Sequence, residues 1–424
     1  MIVKQQLSTR LLYLTLLWCV FSFKVVLFGV NEAGLRVDDI LMALAFFVLL
    51  FRGDLLRVPR SPALRTYLLF ISVSIFSAVW NGIAGRVHIL YSLLFVTRLV
   101  QYLVFYYLGY VLAESGIDIW KALRIYFYIL CVVVPLQMFH LLPTASAFDV
   151  SRASGNTNGP YELAVVAAFF LCYFSYVKRK RVAAIASFGL LLLSASRITL
   201  AGSVIIFCWR FLQSRKSKLL SAAVVCLIVC SLWIGGKVIS THYASQSDSN
   251  SIGSRLNSSS SLLSVDFFSI YNSVPVYSNS DDYFAGTFID ALSLATGVDA
   301  DRSGALRVIR WATLIKSTLA HVDSIMIGLG PSFGSAAVDG YYVRVFTETG
   351  VVGIIAILLF YRALLRAKFP QAVGFHEFVI ILIITGFFID IFTSYKTMMF
   401  LWLWSGMNEF ESKQNLRPVA AIDS

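Results

Sequence analysis

Arginine is the residue type in this chain best placed to do chemistry at a surface. Arg197 closes the run Ser194, Ala195, Ser196, Arg197, where a long apolar stretch stops and the chain turns back. Arg307 and Arg310 stand one helical turn apart, just before Trp311. A guanidinium stays charged at any accessible pH, and its planar fork matches phosphate oxygens. Arg307 and Arg310 could therefore present two cations to a diphosphate. The plainer reading is that Arg197 snorkels to lipid headgroups and the other two lie on the solvated face of a surface helix. Asp339 supplies the complementary chemistry. A carboxylate at a loop boundary can take a proton from a hydroxyl, whereas a turn aspartate that caps its own backbone does nothing further. Glu348 and His321 are rival bases, and Trp311, Tyr341 and Tyr342 offer aromatic faces nearby. The glycine-rich run from Gly328 to Gly334 either cradles an anion through its amides or is an ordinary turn.

Apolar runs separate these residues and decide the class. With 58% hydrophobic and 14% charged residues and a mean hydropathy of +0.76, the chain is expected to be an all-α polytopic membrane protein. A hydrocarbon core of about 30 Å takes about 20 apolar residues per helix, and helices satisfy their own backbone there. About twelve spans fit. They fall near 10 to 29, 38 to 51, 66 to 83, 89 to 112, 122 to 142 and 160 to 177, then 182 to 195, 198 to 213, 219 to 236, 343 to 361, 377 to 393 and 395 to 409. The segments around Ala195 to Arg197 and around Thr393 to Lys396 read either as tight hairpins or as broken helices. The expected organisation is an N-terminal bundle of about nine helices over 1–237, an exported loop over 238–342, C-terminal helices over 343–410 and a cytoplasmic tail over 411–424.

Cations give the orientation. Lys4, Arg10, Arg52, Arg57, Arg60, Arg65, the run Lys178 to Arg181, Arg210, Arg215, Lys216, Lys218, Arg362, Arg366 and Lys368 fall on alternate loops of one side, which is then cytoplasmic. Both termini share that side, and the Ser- and Asn-rich loop faces outward. The net charge of +12 follows from this asymmetry and does not point to nucleic acid; the basic loops stand beside anionic lipid. No small-residue cleavage site follows the first apolar run, so it stays as the first helix.

Other chemistries find little support. Cys19, Cys131, Cys172, Cys208, Cys226 and Cys230 all fall in expected helices, which leaves the loop without disulfides. His88, His140, His242, His321 and His376 lack ligand spacing, so a protein-built metal site is not expected. There is neither a Walker loop nor a dinucleotide fingerprint. Late in the loop, Ser303 is a candidate N-cap for a helix from Gly304 to His321. On it Val308, Trp311, Ala312, Ile315 and Leu319 share one arc and Arg307, Arg310, Thr313, Ser317 and His321 the other, as in a helix lying on a membrane surface. Arg98 and Lys24 lie inside apolar runs, where an unpaired cation is costly. Arg98 either pairs with a carboxylate or lines a substrate path; Lys24 snorkels outward.

In their order, these motifs resemble the O-antigen polymerase and ligase superfamily. Ser194 to Arg197 is similar to that family's Ser-Arg at the outer end of a central helix. Ser303, Gly304, Arg307 and Trp311 resemble its Ser-Gly and Arg-x-x-x-Trp segment, Gly328 and Gly330 its following Gly-x-Gly, and Tyr341 to Gly353 its approach to the next helix through a Glu and two glycines. Arg98 with Tyr102, and Arg152 to Gly155 followed by Asn158 to Pro160, resemble weaker features. Ligases of this kind carry a His where this chain has Asp339, which favours a polymerase.

The resemblance implies a GT-C-like membrane glycosyltransferase with one large periplasmic loop in a bacterial inner membrane, and no cofactor. Its substrate would be an oligosaccharide repeat unit on undecaprenyl diphosphate, handled in lipopolysaccharide or related polysaccharide biosynthesis, with a chain-length regulator as a further partner. Arg197, Arg307 and Arg310 would hold the departing diphosphate, Asp339 would activate the acceptor hydroxyl, and Arg98, Arg152, His321, Tyr341 and Tyr342 would contact substrate. The alternatives are a ligase transferring finished chains to lipid A core, and a transporter or flippase. The last would show polar groups through the bilayer depth and an internal repeat, and the sequence has no such repeat.

Overall fold

The computed structural model describes residues 2–22, 26–28, 35–144, 153–194, 196–213, 267–286, 302–334, 338–369 and 372–416. The helix expected at 219 to 236, the Ser-rich stretch, Lys24 and Arg152 lie outside the described residues.

The chain begins with α1 (Ile2–Phe21), a two-stranded antiparallel ribbon of β1 (Val26–Phe28) and β2 (Leu35–Arg36), and α2 (Val37–Phe51). Next come the single turn α3 (Asp54–Arg57), then α4 (Pro62–Ile83), α5 (Ile89–Glu114), α6 (Ile119–Met138) and α7 (Pro160–Cys172), which runs on as a π turn over Tyr173–Val177. α8 (Arg181–Leu193) and α9 (Arg197–Gln213) precede the loop elements α10 (Phe267–Ser273), α11 (Ser280–Ala285), α12 (Arg302–Leu319) and α13 (Val322–Ile327). α14 (Tyr341–Leu365), α15 (Ala372–Gly386), a 3-10 turn (Ile391–Thr393) and α16 (Tyr395–Leu416) complete the order.

Local chemistry sets these boundaries. Pro62 stands at the first turn of α4, where its missing N–H costs nothing, and the Ser61 hydroxyl caps the Leu64 amide at 3.2 Å. Asp118 caps α6 through the Lys121 amide at 3.0 Å. α4 and α5 stop ahead of Gly85 and Gly116, and their last carbonyls are taken by the amides of Arg86 and Ile117. Among the described residues five helices are long and apolar enough to cross a bilayer: α4, α5, α6, the α7 run to Val177, and α14. Four shorter apolar helices accompany them, over 6–21, 181–193, 198–210 and 372–386. The protein is a helical, multi-pass membrane protein.

Three expectations move. The first helix covers 2–21 rather than 10–29, because the apolar run past Phe23 continues as strand β1. The segment expected over 377–393 ends at Gly386, so Asp390 and Thr393 lie in an irregular link before α16. α16 itself runs to Leu416, into the stretch expected to be a tail.

The core is helix on helix. α5 lies against α16 and α4 against α14. Gly109 meets the backbone of Leu403 and Gly406 that of Tyr106, so α5 and α16 touch backbone to backbone. Trp402 fills the space above them, with its ring centroid 5.0 Å from that of Tyr67 and 5.5 Å from that of Phe360.

Candidate active site

The loop elements close over the ends of α4, α5, α14 and α15. Arg307 Nε lies 2.8 Å from Asp339 Oδ2, and one turn further along α12 the Trp311 indole N–H donates to the Asp339 carbonyl. The indole covers Gly340, whose φ of +131 suits glycine and where a Cβ would stand 2.8 Å from Trp311 Cζ2. Two side chains of one helix thus grip Asp339, two residues before α14 begins. The cation and the carboxylate nominated from sequence are in direct contact, both partly open to solvent at 35% and 41%.

α12 starts at Arg302, so Ser303 lies inside its first turn and is not the N-cap. The expected faces are also corrected. Thr313 and Ser317 are buried, whereas Leu319 is exposed. The helix buries them because their polarity is internally satisfied: Thr313 Oγ1 bonds the Ile309 carbonyl at 2.8 Å, and Ser317 Oγ accepts from the Tyr277 amide at 3.0 Å. α12 packs on α10 and α14.

Below this lid α14 is broken. Gly350 has φ 64 and ψ −161 inside the helix, and any Cβ there would collide with the backbone of Met326 and Ile327 at the end of α13. The break frees the Glu348 carbonyl, which the Ser77 hydroxyl reaches at 2.6 Å while also lying 2.7 Å from the Ile327 carbonyl. The glycine-rich run follows the same backbone: Leu329 N–H bonds the Thr347 carbonyl at 2.7 Å. The amides of Gly328, Leu329, Ser332 and Phe333 are all taken by protein acceptors, which favours the turn reading over an anion cradle.

A buried charge cluster sits just inside. Arg344, 2% exposed, places Nε 2.6 Å from Asp390 Oδ2 and Nη1 3.6 Å from Glu348 Oε1, with its guanidinium 5.2 Å from the Phe95 ring centroid. The Ser332 amide also reaches Glu348 Oε1, at 3.2 Å. Arg344 and Glu348 line a cavity walled by Phe70, Phe95, Pro331 and Tyr341. On the loop side, burial pushes the Tyr283 phenol up to about 12, against the pull of the Arg310 and Arg344 charges.

A second cluster lies among the ends of α1, α2, α7 and α16. Glu162 Oε1 accepts from Ser394 Oγ at 2.5 Å and from the Lys396 amide at 2.8 Å, and Oε2 from the Asn158 amide at 2.7 Å. Lys396 Nζ donates to the Val20 carbonyl at 2.9 Å and the Ser22 carbonyl at 3.3 Å. Between them the Tyr102 hydroxyl of α5 donates to the Thr393 carbonyl at 2.5 Å, in the link that carries Asp390 and Ser394.

The residues nominated from sequence are therefore only partly gathered. Arg307 and Asp339 pair, Arg310 lies one turn further along the same helix, and Arg98 is half-buried on α5. Tyr341 is buried in the cavity wall, and the Tyr342 hydroxyl is engaged by the Ile383 carbonyl at 2.9 Å. His321 is exposed ahead of α13. Arg197 opens α9, but its side chain, like the whole of Arg152, lies outside the described residues. Sequence reasoning missed Arg344, Asp390, Glu162 and Lys396. The spacing of Arg344 four residues before Glu348 was the one available signal. No protein-family model matches this chain, and neither does any curated protein.

Proposed function

We propose that this protein is a glycosyltransferase that polymerises oligosaccharide repeat units carried on undecaprenyl diphosphate into O-antigen or a related surface polysaccharide. The loop and the site beneath it face the periplasm of a bacterial inner membrane, with both termini in the cytosol, as the cation asymmetry supports. The chain spans the membrane about twelve times in this reading. The single observation that carries it is the Arg307–Asp339 pair at the mouth, one turn of α12 before Arg310. Cations that can neutralise a departing diphosphate stand next to a carboxylate that can take a proton.

The reaction is inverting and metal-independent. The acceptor hydroxyl oxygen of the newer lipid-linked unit attacks the anomeric carbon of the older chain, and the bond from that carbon to the diphosphate oxygen breaks. Undecaprenyl diphosphate leaves with both electrons of that bond, held by Arg307, Arg310 and Arg197. The hydroxyl proton passes to Asp339. Because Arg307 already pairs with Asp339, an incoming diphosphate competes for the same guanidinium, and donor binding uncovers the base. The activated diphosphate makes nucleotide sugars unnecessary at this surface.

Purified protein incubated with lipid-linked repeat units from a strain lacking this chain tests the reading. A ladder of products on a gel supports it. A single shifted lipid A band seen only when core is supplied indicates ligation, and unchanged substrate overturns both.

A further inference from the structure

Ser77, Asn81 and Ser92 are fully buried polar residues on helices apolar enough to cross the bilayer, and all three are spent on one stretch of loop backbone. The Ser77 hydroxyl lies 2.7 Å from the Ile327 carbonyl, the Asn81 side-chain amide donates to the Gly328 carbonyl at 3.2 Å, and the Ser92 hydroxyl donates to the Pro331 carbonyl at 2.5 Å. Backbone that leaves the helix at membrane depth needs such partners, because no water is there to supply them. Depth follows from α4. Ser77 precedes Ile83, the last residue of that helix, by six positions, or about 9 Å of rise. The end of α13 at Ile327 therefore lies well inside the tip of α4. The start of α13 is held higher, since Asp323 in its first turn pairs at 2.7 Å with Arg86, just beyond α4. Between these two ties the six residues of α13 also rise about 9 Å, so the short helix runs down beside the last turns of α4.

Its outward face is apolar. Val322 and Met326, one turn apart and so on the same side, are 80% and 48% exposed. Over the same depth α4 also exposes large apolar side chains, those of Phe76, Val79, Trp80 and Ile83. Because α4 crosses the bilayer, that exposed stripe meets lipid, and α13 extends it. We propose that α13 is a re-entrant half-helix whose Val322 and Met326 side chains are seated among the lipid chains of the leaflet on the loop side, with Met326 the deeper. α12 ends only at Leu319, so this seat ties the lid that carries Arg307 and Trp311 to the membrane. It follows from the membrane fold alone, whatever reaction the lid serves.

Benzoylphenylalanine replacing Met326, in the full chain within phosphatidylethanolamine and phosphatidylglycerol nanodiscs, tests the seat. Illumination should give lipid adducts by mass spectrometry, as it should at Phe76 on α4, and none at the exposed Asp281 of α11. Val322 should give fewer than Met326. Hydroxyl-radical footprinting of the unaltered chain in the same nanodiscs needs no variant to fold: Met326 should stay unoxidised, although a methionine open to water forms sulfoxide readily. Sulfoxide at Met326 would overturn the proposal, as would a probe there that stays silent while Phe76 labels. An adduct to a second protein chain would also overturn it and assign the face to a protein partner.

Discussion

Around Glu162 both carboxylate oxygens are bound by fixed donors, and the Lys396 ammonium rests on two carbonyls of the α1 end. Around Glu348 both contacts fall on one oxygen and its guanidinium neighbour is shared with Asp390. Both clusters are buried, at the same end of the bundle, and built from the same residue types. The difference lies in satisfaction. A fully bonded network rigidifies what it joins, whereas a partly bonded one in low dielectric holds polar atoms at high cost unless a partner arrives. The first cluster reads as a lock on the ribbon and helix ends, and the second as the looser seat beneath the Arg307–Asp339 pair.

Breaking the lock should have the largest effect. Glu162→Ala leaves three donors in the interior, and a loss of about 3–5 kcal/mol of stability is expected, read as a lower melting temperature in detergent with substrate binding lost only along with the fold. Arg307→Ala should do the reverse: turnover falls by roughly a hundredfold, equivalent to about 2.7 kcal/mol, while the melting temperature stays put. If both variants lose stability equally, the contrast between lock and site is mistaken.

Asp339→Asn sharpens the contrast further. It releases Arg307 from its carboxylate, so undecaprenyl diphosphate should bind several-fold tighter, by an amount on the order of 1 kcal/mol, even as polymerisation fails. Weaker binding would count against the exchange of partners at the mouth. The smallest effect belongs to Asp323, whose carboxyl is held below the usual carboxylate range by the hydrogen bond and charge of Arg86, 2.7 Å away. A depressed folded value means that the stability from this pair is present above the unfolded value and is lost as pH falls through the folded one. Asp323→Asn should therefore cost at most about 1 kcal/mol for an exposed pair, visible in melts near neutral pH and absent in strong acid.

How much of this could be read from the sequence depended on where each signal resides. Long apolar runs with polar interruptions located α4, α5, α7, α9 and α14 closely, since a bilayer constrains length and composition together. Arg307 and Asp339 were found because each sits in polar loop sequence. Arg344, Asp390 and Lys396 were missed because each sits beside apolar runs and its meaning comes from a partner brought near by folding. Arg344 meets Asp390 only once α15 has turned back at Phe387 and Phe388. On α12 the sequence assigned Thr313 and Ser317 to water because hydropathy counts hydroxyls as polar, and it cannot register that the helix backbone and the Tyr277 amide have already taken them.

The backbone-to-backbone seam between α5 and α16 reaches beyond packing. At Gly406, near the middle of α16, a single added methyl group would press on the Tyr106 carbonyl, and the helix is a stiff rod whose first turn carries Lys396, with Ser394 just ahead of it. A wedge driven in there would tilt that rod and draw both residues off Glu162. Loss of function from such a change would look like damage to the mouth, although it began several helical turns away from it.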